Sequence, residues 1–279
     1  MASVKARAAE VTQPRGGYVK LSEFAITELS DGCILNEVES VHPSIVGMAV
    51  DYLTRVMSGT PVNEAFRISL DGAEIAETKG RMKGAMNDAK LFAAHIKGLD
   101  DTSIDCACKL VTFDVWRRNV FDAVLAKSYR EITVDGATIE NIRILVNRSI
   151  SFLNLFGPIT ANGFDFSPVD GTIQQYLDMI ASGKGTFGGY TGTVESGDGD
   201  FLTADTLWDF KVLKAKPTKN HILQILMYWI MGKRSGQTIF EPITKVGIFN
   251  PRLNTVYLLK MCDVPDEVIE AIERDVICY

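Results

Sequence analysis

Two short apolar runs joined by a turn constrain the fold of this chain more than any other feature. Residues 201–202 and 207–212 flank the segment 203–206, whose composition is typical of a turn. This pattern predicts a β-hairpin. In its second strand Asp209 and Lys211 are two residues apart, so the pleat places both side chains on one face. The apolar neighbours face the opposite way, into a core, and an acid and a base therefore share one surface.

A second acid stands at the start of the hairpin. Asp200 follows the glycine-rich residues 197–199, and glycines let a backbone or a ligand approach closely. Asp200 can therefore lie beside Asp209 across the hairpin. Two carboxylates and a backbone carbonyl suit Mg²⁺, which takes one or two protein carboxylates, keeps most of its waters and accepts further oxygens from substrate phosphates. The neighbouring Lys211 would then orient or activate the attacking water.

A helix is predicted downstream, over residues 218–231 after Pro217. Apolar residues recur through it at a spacing that gives a broad buried face. Its few polar residues, His221, Gln224 and Tyr228, are spaced i, i+3 and i+7, so they line one stripe. This stripe can face the acids of the hairpin. For His221 the sequence leaves open a phosphate contact or a plain surface or core histidine.

In their order and spacing, these motifs resemble those of the PD-(D/E)XK nuclease superfamily. They are Gly-x-x-Asp ending at Asp200, Asp-x-Lys at residues 209–211 and Gln-x-x-x-Tyr at residues 224–228. They look closest to the RecB-like and lambda-exonuclease-like (YqaJ-type) branches of that superfamily. The resemblance covers residues 44–58 and 190–260, and the middle of the chain does not align with the family pattern.

The resemblance implies an α/β fold with a restriction-endonuclease-like core, in which helices flank a mixed central β-sheet. We expect one PD-(D/E)XK nuclease-like domain over residues 1–279. Apolar residues recur at helical spacing through the middle of the chain, which predicts a helical insertion of roughly residues 80–183. The helices of residues 44–58 and 218–231 are expected to pack on the sheet, so that the site lies where hairpin and helices meet.

The resemblance also implies roles for the residues of the hairpin. In the family, the two hairpin carboxylates and the carbonyl between acid and lysine hold the metal. These positions correspond to Asp200, Asp209 and the carbonyl of Phe210 in this chain. Lys211 is then the implied catalytic lysine, and it acts together with the two carboxylates.

Two further elements complete the implied site. The family carries an upstream helical motif, a glycine with a histidine or glutamate four residues later, and here Gly47 is followed by Asp51. Asp51 is therefore the implied additional metal ligand, although an aspartate on a helix surface is also common. Gln224 and Tyr228 match the pair that steadies the active site and the nucleic-acid backbone, and they are the expected substrate-binding residues.

The implied activity is that of a Mg²⁺-dependent deoxyribonuclease that hydrolyses phosphodiester bonds, and more narrowly of a DNA exonuclease of phage recombination or repair type. Mn²⁺ is expected to substitute for Mg²⁺. One alternative is a catalytically silent nucleic-acid-binding module. Another is a phage structural or assembly protein, in which Asp198 and Asp200 are turn residues and Lys211 guards an edge strand. The sequence also leaves open whether the substrate is DNA or RNA and whether cleavage is exonucleolytic or endonucleolytic. It leaves open as well whether the protein forms a homo-oligomer and whether it has a recombination partner protein.

The composition is that of an ordinary globular protein, with 279 residues of which 46% are hydrophobic. No apolar run has the length of a membrane span and the N-terminus lacks an apolar signal core, so we expect a cytoplasmic protein with no membrane partner. The five cysteines include no Cys-x-x-Cys pair, which favours reduced thiols over a zinc site. Some RecB-like relatives bear an iron–sulfur cluster on a C-terminal cysteine trio; only Cys262 and Cys278 lie there, so we expect no cluster.

A net charge of −6 is unusual for an enzyme that binds phosphate. The distribution of charge matters more than its sum, since cations cluster along the chain around the proposed site while acids crowd the C-terminal helix. The sequence therefore predicts a basic rim around an acidic metal centre. The cations of this rim are Lys211, Lys214, Lys216, Lys219, Lys233 and Arg234.

Overall fold

The computed structural model describes residues 2–279 and divides the chain into two compact units. The sheet unit comprises the described residues up to Leu29 together with Leu153–Tyr279. The helical unit is the continuous segment Ser30–Phe152. The predicted hairpin and the helix that follows it both belong to the sheet unit.

The strands lie in the sheet unit, most of them in its C-terminal part. They are β1 (Ala2–Ser3), β2 (Ala25–Glu28), β3 (Ala161–Phe164), β4 (Thr186–Phe187), β5 (Tyr190–Thr191), β6 (Val194–Ser196), β7 (Gly199–Leu202), β8 (Thr206–Phe210), β9 (Lys245–Asn250) and β10 (Thr255–Lys260). β1 pairs with β6, and β4 pairs with β5, as two small sheets apart from the central one.

The helices are distributed over both units. They are α1 (Val4–Glu10), α2 (Pro43–Met57), α3 (Val62–Ala65), α4 (Arg67–Thr78), α5 (Ala85–His95), α6 (Asp101–Leu110), α7 (Asp114–Arg118), α8 (Val120–Ala123), α9 (Gly136–Phe156), α10 (Ile173–Ser182), α11 (Lys219–Ser235) and α12 (Asp266–Ala271). Helices α2 to α8 and most of α9 form the helical unit. Among residues 2–279, no helix combines the length and the apolar character that crossing a bilayer requires.

The central sheet has the strand order β2-β10-β9-β8-β7-β3. β8 and β9 run parallel, and the other neighbouring strands are antiparallel. Parallel neighbours need a crossover connection, and α11 supplies it between β8 and β9. The expected α/β class with a mixed sheet flanked by helices is thus confirmed. The predicted hairpin is also confirmed as the β7–β8 pair, with Phe201 opposite Trp208 and Leu202 opposite Leu207.

Helix α11 packs along one face of the central sheet. Its apolar side chains share a core with Leu207 of β8 and Val246 of β9. The helix begins after Thr218, which takes part in a capping box, and ends at Gly236, whose φ of 75° is a left-handed conformation that glycine adopts readily. The helix predicted over residues 218–231 is therefore confirmed, and it runs one turn further, to Ser235.

The opposite face of the sheet carries an aromatic layer around Trp208. The Trp208 ring lies 6.5 Å from the ring of Phe201 and 5.4 Å from that of Phe156. Gly247 on β9 lies directly beneath the indole, since a Cβ there would come within 2.2 Å of it. Successive side chains of a strand point to opposite faces. Trp208 lies on the face away from α11, and Asp209 therefore lies on the face that α11 covers.

The boundaries of the helical unit differ from the predicted insertion of residues 80–183. The unit begins at Ser30 and ends at Phe152. Residues 153–183 contain β3, which is a strand of the central sheet, and α10, which also belongs to the sheet unit. The helix predicted over residues 44–58 is present as α2, and it falls in the helical unit, where it packs against α6. The prediction of one nuclease-like domain over residues 1–279 stays a prediction.

Candidate active site

Asp209 and Lys211 form an ion pair on the face of the sheet that carries α11. The Nζ of Lys211 lies 3.0 Å from Oδ1 of Asp209. The Asp209 side chain is buried, with 3% of its surface exposed, and that of Lys211 is 18% exposed. The backbone N–H of Lys211 donates to the carbonyl of Phe249, which continues the pairing with β9 beyond the end of β8. The prediction that the acid and the base share one face is confirmed.

Asp200 approaches the same point from β7. Its Oδ2 accepts the backbone N–H of Phe210 at 2.6 Å. Phe201 is paired with Trp208, so the next step of the same register brings Asp200 opposite Asp209. The hairpin therefore carries two carboxylates at adjacent positions. One of them, Asp200, is bonded to the backbone N–H of Phe210, whose carbonyl is the predicted third ligand.

One carboxylate oxygen of this pair has no protein partner. Oδ2 of Asp209 is buried and accepts no hydrogen bond from any of residues 2–279. Buried carboxylate oxygens are costly unless a donor or a metal satisfies them. A hard divalent cation such as Mg²⁺ takes carboxylate, carbonyl and water oxygens, so the groups present at this point of the hairpin fit such an ion.

The side chains gathered here number too few for a metal site made by the protein alone. Within the part of the chain that the structure describes, no three His, Cys, Asp or Glu side chains form a group that could hold a metal ion. Mg²⁺ binds well through one or two carboxylates when waters and substrate oxygens complete its shell. Asp200 and Asp209 match that minimal requirement.

The two carboxylates determine the charge state of Lys211. Burial of the amine lowers its pKa, but the charges of Asp209 and Asp200 and the hydrogen bond to Asp209 outweigh this effect. The pKa of Lys211 is therefore raised above its ordinary value. The side chain is an ammonium group at neutral pH and can donate hydrogen bonds to oxygen atoms that approach the carboxylates.

Gln224 and Tyr228 of α11 pair with each other on the side of the helix near the acids. The Nε2 amide of Gln224 donates to the hydroxyl oxygen of Tyr228 at 2.7 Å, and both side chains are buried. Burial raises the pKa of Tyr228, and the charges of Asp209 and Asp200 raise it further. The hydroxyl consequently stays protonated, and its O–H is a donor held close to the two carboxylates.

His221 begins the same stripe and has a defined tautomer. Its Nδ1 accepts the backbone N–H of Thr218 at 3.1 Å, so in the neutral ring the proton is on Nε2. Burial lowers the pKa of His221, and the cations of Lys211 and Lys5 lower it further, against an opposing effect of Asp209. Lys5 belongs to α1, which packs on α11. No motif in the sequence pointed to Lys5.

Asp51 lies in the helical unit, on α2. Both of its carboxylate oxygens accept hydrogen bonds from Arg55, at 2.9 and 3.0 Å. This is a bidentate pair between residues four apart on one helix. The assignment of Asp51 as a metal ligand stays a prediction.

Two members of the predicted basic rim are engaged at the other end of α11. Lys233 donates to the carbonyls of Phe240 and Glu241 at 2.7 and 2.9 Å. Arg234 forms a bidentate pair with Glu273, with both distances 2.9 Å. These cations stabilise the C-terminal end of α11 and the segment that follows it. The segregation of cations from the acids of the C-terminal helix is therefore incomplete.

Comparisons of the chain with family models, with curated proteins and with solved structures gave no match. The resemblance to PD-(D/E)XK nucleases consequently depends on the motif residues themselves. The structure brings Asp200, Asp209 and Lys211 together on one hairpin and sets Gln224 and Tyr228 on the helix that covers it.

Proposed function

We propose that this protein is a metal-dependent nuclease with a restriction-endonuclease-like core, which hydrolyses phosphodiester bonds in DNA. Its more specific proposed role is that of an exonuclease in recombination or repair. The observation that carries the proposal is the buried Oδ2 of Asp209, which lacks a hydrogen-bond partner among residues 2–279 although the other oxygen of the same carboxylate is paired with Lys211.

A structural ion pair alone does not account for this carboxylate. If the Asp209–Lys211 pair served only stability, the second oxygen would be expected to accept a backbone or side-chain donor, because an unsatisfied buried oxygen costs about 1–3 kcal/mol. Asp200 shows the contrasting arrangement, since its Oδ2 accepts the N–H of Phe210. An oxygen left open beside a second carboxylate is what a cation-binding site requires.

Each residue of the proposed site has a separate task. Asp209, Asp200 and the carbonyl of Phe210 would hold the ion. Bound there, Mg²⁺ supplies an activated water and neutralises charge on the phosphate. Lys211, kept as an ammonium group by the carboxylates, donates to oxygen atoms at the reacting phosphate and offsets the charge that develops there. Tyr228, held by Gln224, would donate to the substrate backbone.

The proposal is tested by cleavage of linear and circular DNA in Mg²⁺ and in Mn²⁺. Asp209→Asn preserves the shape of the side chain while weakening metal binding, and we expect it to lower activity to background. Lys211→Ala should lower the rate by at least about 10²-fold, as for loss of one stabilising donor. Asp205→Asn is the matched control, because Asp205 lies in the turn of the same hairpin and pairs with Lys245 at 2.6 Å.

Equal cleavage by the wild type and Asp209→Asn would overturn the catalytic assignment. Binding of DNA without cleavage in either metal would support the catalytically silent module instead. Cleavage of linear DNA with circular DNA left intact is the result expected for an exonuclease. An RNA substrate of the same sequence decides between the two kinds of nucleic acid.

A further inference from the structure

The helical unit carries a concentration of exposed cations that the proposed active site does not use. Three short stretches contribute: the loop between α4 and α5, the end of α7, and the segment after α8. We call these residues the basic surface; they are Lys79, Arg81, Lys83, Arg117, Arg118, Lys127 and Arg130, and all of them are exposed. They stand out in a chain whose net charge is −6.

Contacts bring the three stretches together. The Nη2 of Arg130 donates to the carbonyl of Lys83 at 3.1 Å, which joins the segment after α8 to the α4–α5 loop. Gly80 in that loop abuts Trp116, since a Cβ at Gly80 would come within 2.4 Å of the indole ring. Trp116 is followed directly by Arg117. The three stretches are therefore neighbours in space, although their residues span about 50 positions of sequence.

Most of these cations have no acidic partner. Arg118 pairs with Asp114 and Arg130 with Asp88, whereas the other five form no ion pair with any of residues 2–279. Two acids of the same stretches, Glu77 and Glu131, accept the backbone N–H groups of Met86 and Ser128 and keep their negative charge. The five cations without an ion-pair partner among residues 2–279 are exposed and can contact a ligand.

The backbone of the loop presents its central cation in an uncommon conformation. Arg81 has a φ of 54°, in the left-handed region that glycine and asparagine adopt more readily than arginine. A replacement for Arg81 therefore has to tolerate this conformation.

We propose that the basic surface binds the phosphate backbone of nucleic acid. The choice of nucleic acid among polyanions rests on the function proposed above, while the requirement for a polyanion follows from the surface itself. Exposed arginines and lysines bind phosphates by charge and by forked hydrogen bonds. Such contacts release counterions and carry no sequence preference. The basic surface would hold the substrate whatever its sequence.

The test measures binding of a fluorescent DNA duplex by anisotropy in EDTA, so that no cleavage takes place. The variant combines Lys79→Gln, Arg81→Asn and Lys83→Gln, with asparagine chosen because it tolerates the left-handed conformation. We expect binding to weaken roughly tenfold and the salt slope to fall by about three. The control combines Arg67→Gln, Lys90→Gln and Lys97→Gln, which removes the same charge away from this loop.

Unchanged affinity and salt slope in the loop variant would overturn the inference, as would an equal loss in the control. Exposed Phe121, Val124 and Leu125 lie between Arg117 and Lys127 in the chain, and apolar residues among cations are also found on surfaces that bind anionic membranes. A second arm of the experiment therefore measures binding to vesicles of phosphatidylserine and phosphatidylcholine. Vesicle binding that depends on the loop cations, with DNA binding intact, would also overturn it. If the loop variant loses DNA binding while the wild type cleaves no DNA, the inference stands and the proposed function fails.

Discussion

The Nζ of Lys211 lies 3.0 Å from Oδ1 of Asp209, and the other oxygen of that carboxylate is buried without a hydrogen-bond partner among residues 2–279. The ion pair therefore uses only half of the carboxylate. Lys211 holds one oxygen of Asp209, and the hairpin register places Asp200 opposite this residue. Under the proposed function, the same carboxylate would pair with Lys211 through one oxygen and bind a cation through the other.

Removal of Asp209 is expected to destabilise the protein through Lys211. Asp209→Ala leaves a buried amine without its closest partner, and we expect a loss of about 2–3 kcal/mol in the free energy of unfolding, since Asp200 still acts on the amine. Asp209→Ala combined with Lys211→Met should recover part of this loss. Urea unfolding measures both; a double variant less stable than Asp209→Ala would contradict the interpretation.

Divalent cations should stabilise the folded protein through the same carboxylate. At a Mn²⁺ concentration tenfold above the dissociation constant, binding to one site adds about 1.4 kcal/mol to the free energy of unfolding. We expect this gain in the wild type and in Asp205→Asn, and its loss in Asp209→Asn. Thermal unfolding with and without Mn²⁺ measures it. An equal upward shift in Asp209→Asn would place the ion elsewhere.

Stability should fall in mild acid because of His221. Its pKa is lowered in the folded protein by burial and by Lys211, so above the unfolded value of about 6.5 the ring is neutral in both states and has no effect. As pH falls below that value, the ring gains its proton first in the unfolded protein. The free energy of unfolding then decreases until the pH reaches the lowered pKa of the ring in the folded protein.

The matched variant for this prediction is His221→Gln. Glutamine keeps the capping box with Thr218 but does not titrate. We expect the two proteins to unfold at similar temperatures near pH 8, and the wild type to lose more stability than the variant when the pH is lowered to about 5. Parallel curves of unfolding temperature against pH would show that His221 has no such role.

Tyr228→Phe is expected to lower the stability of the protein. It removes the acceptor of the Gln224 amide and leaves that buried group unpaired, which should cost about 1–2 kcal/mol. Tyr176→Phe is a suitable control, since the Tyr176 hydroxyl donates to the carbonyl of Glu195 at a less buried position. If Tyr228→Phe were no less stable than Tyr176→Phe, the buried pair would contribute nothing.

Local features of the fold could be predicted from the sequence because short-range periodicity determines them. The alternation around Asp209 and Lys211 predicted the hairpin, and the apolar spacing after Pro217 predicted α11. The division into units depends on contacts between residues distant in sequence, such as the pairing of β3 with β7, and periodicity carries no information about these. For the same reason, the helical insertion was predicted with boundaries that the structure does not have.

Side-chain contacts at the candidate site also depend on residues distant in sequence. The sequence identified the carboxylates and the lysine, but the hydrogen bond from the Phe210 amide to Asp200 and the influence of Lys5 on His221 depend on packing. The composition of residues 129–134 favours a strand, but these residues form a turn and loop, in which the Tyr129 hydroxyl is bonded to Asp88.

The proposed function requires that Asp209 and Asp200 together bind a divalent cation. The most direct test is an anomalous difference map from a crystal soaked in Mn²⁺. We predict a peak about 2 Å from Oδ2 of Asp209 and within ligand distance of Asp200, which would also show whether Asp51 takes part. A map with no peak at Asp209 under Mn²⁺ concentrations that support cleavage, or with the peak on other residues, would contradict the account.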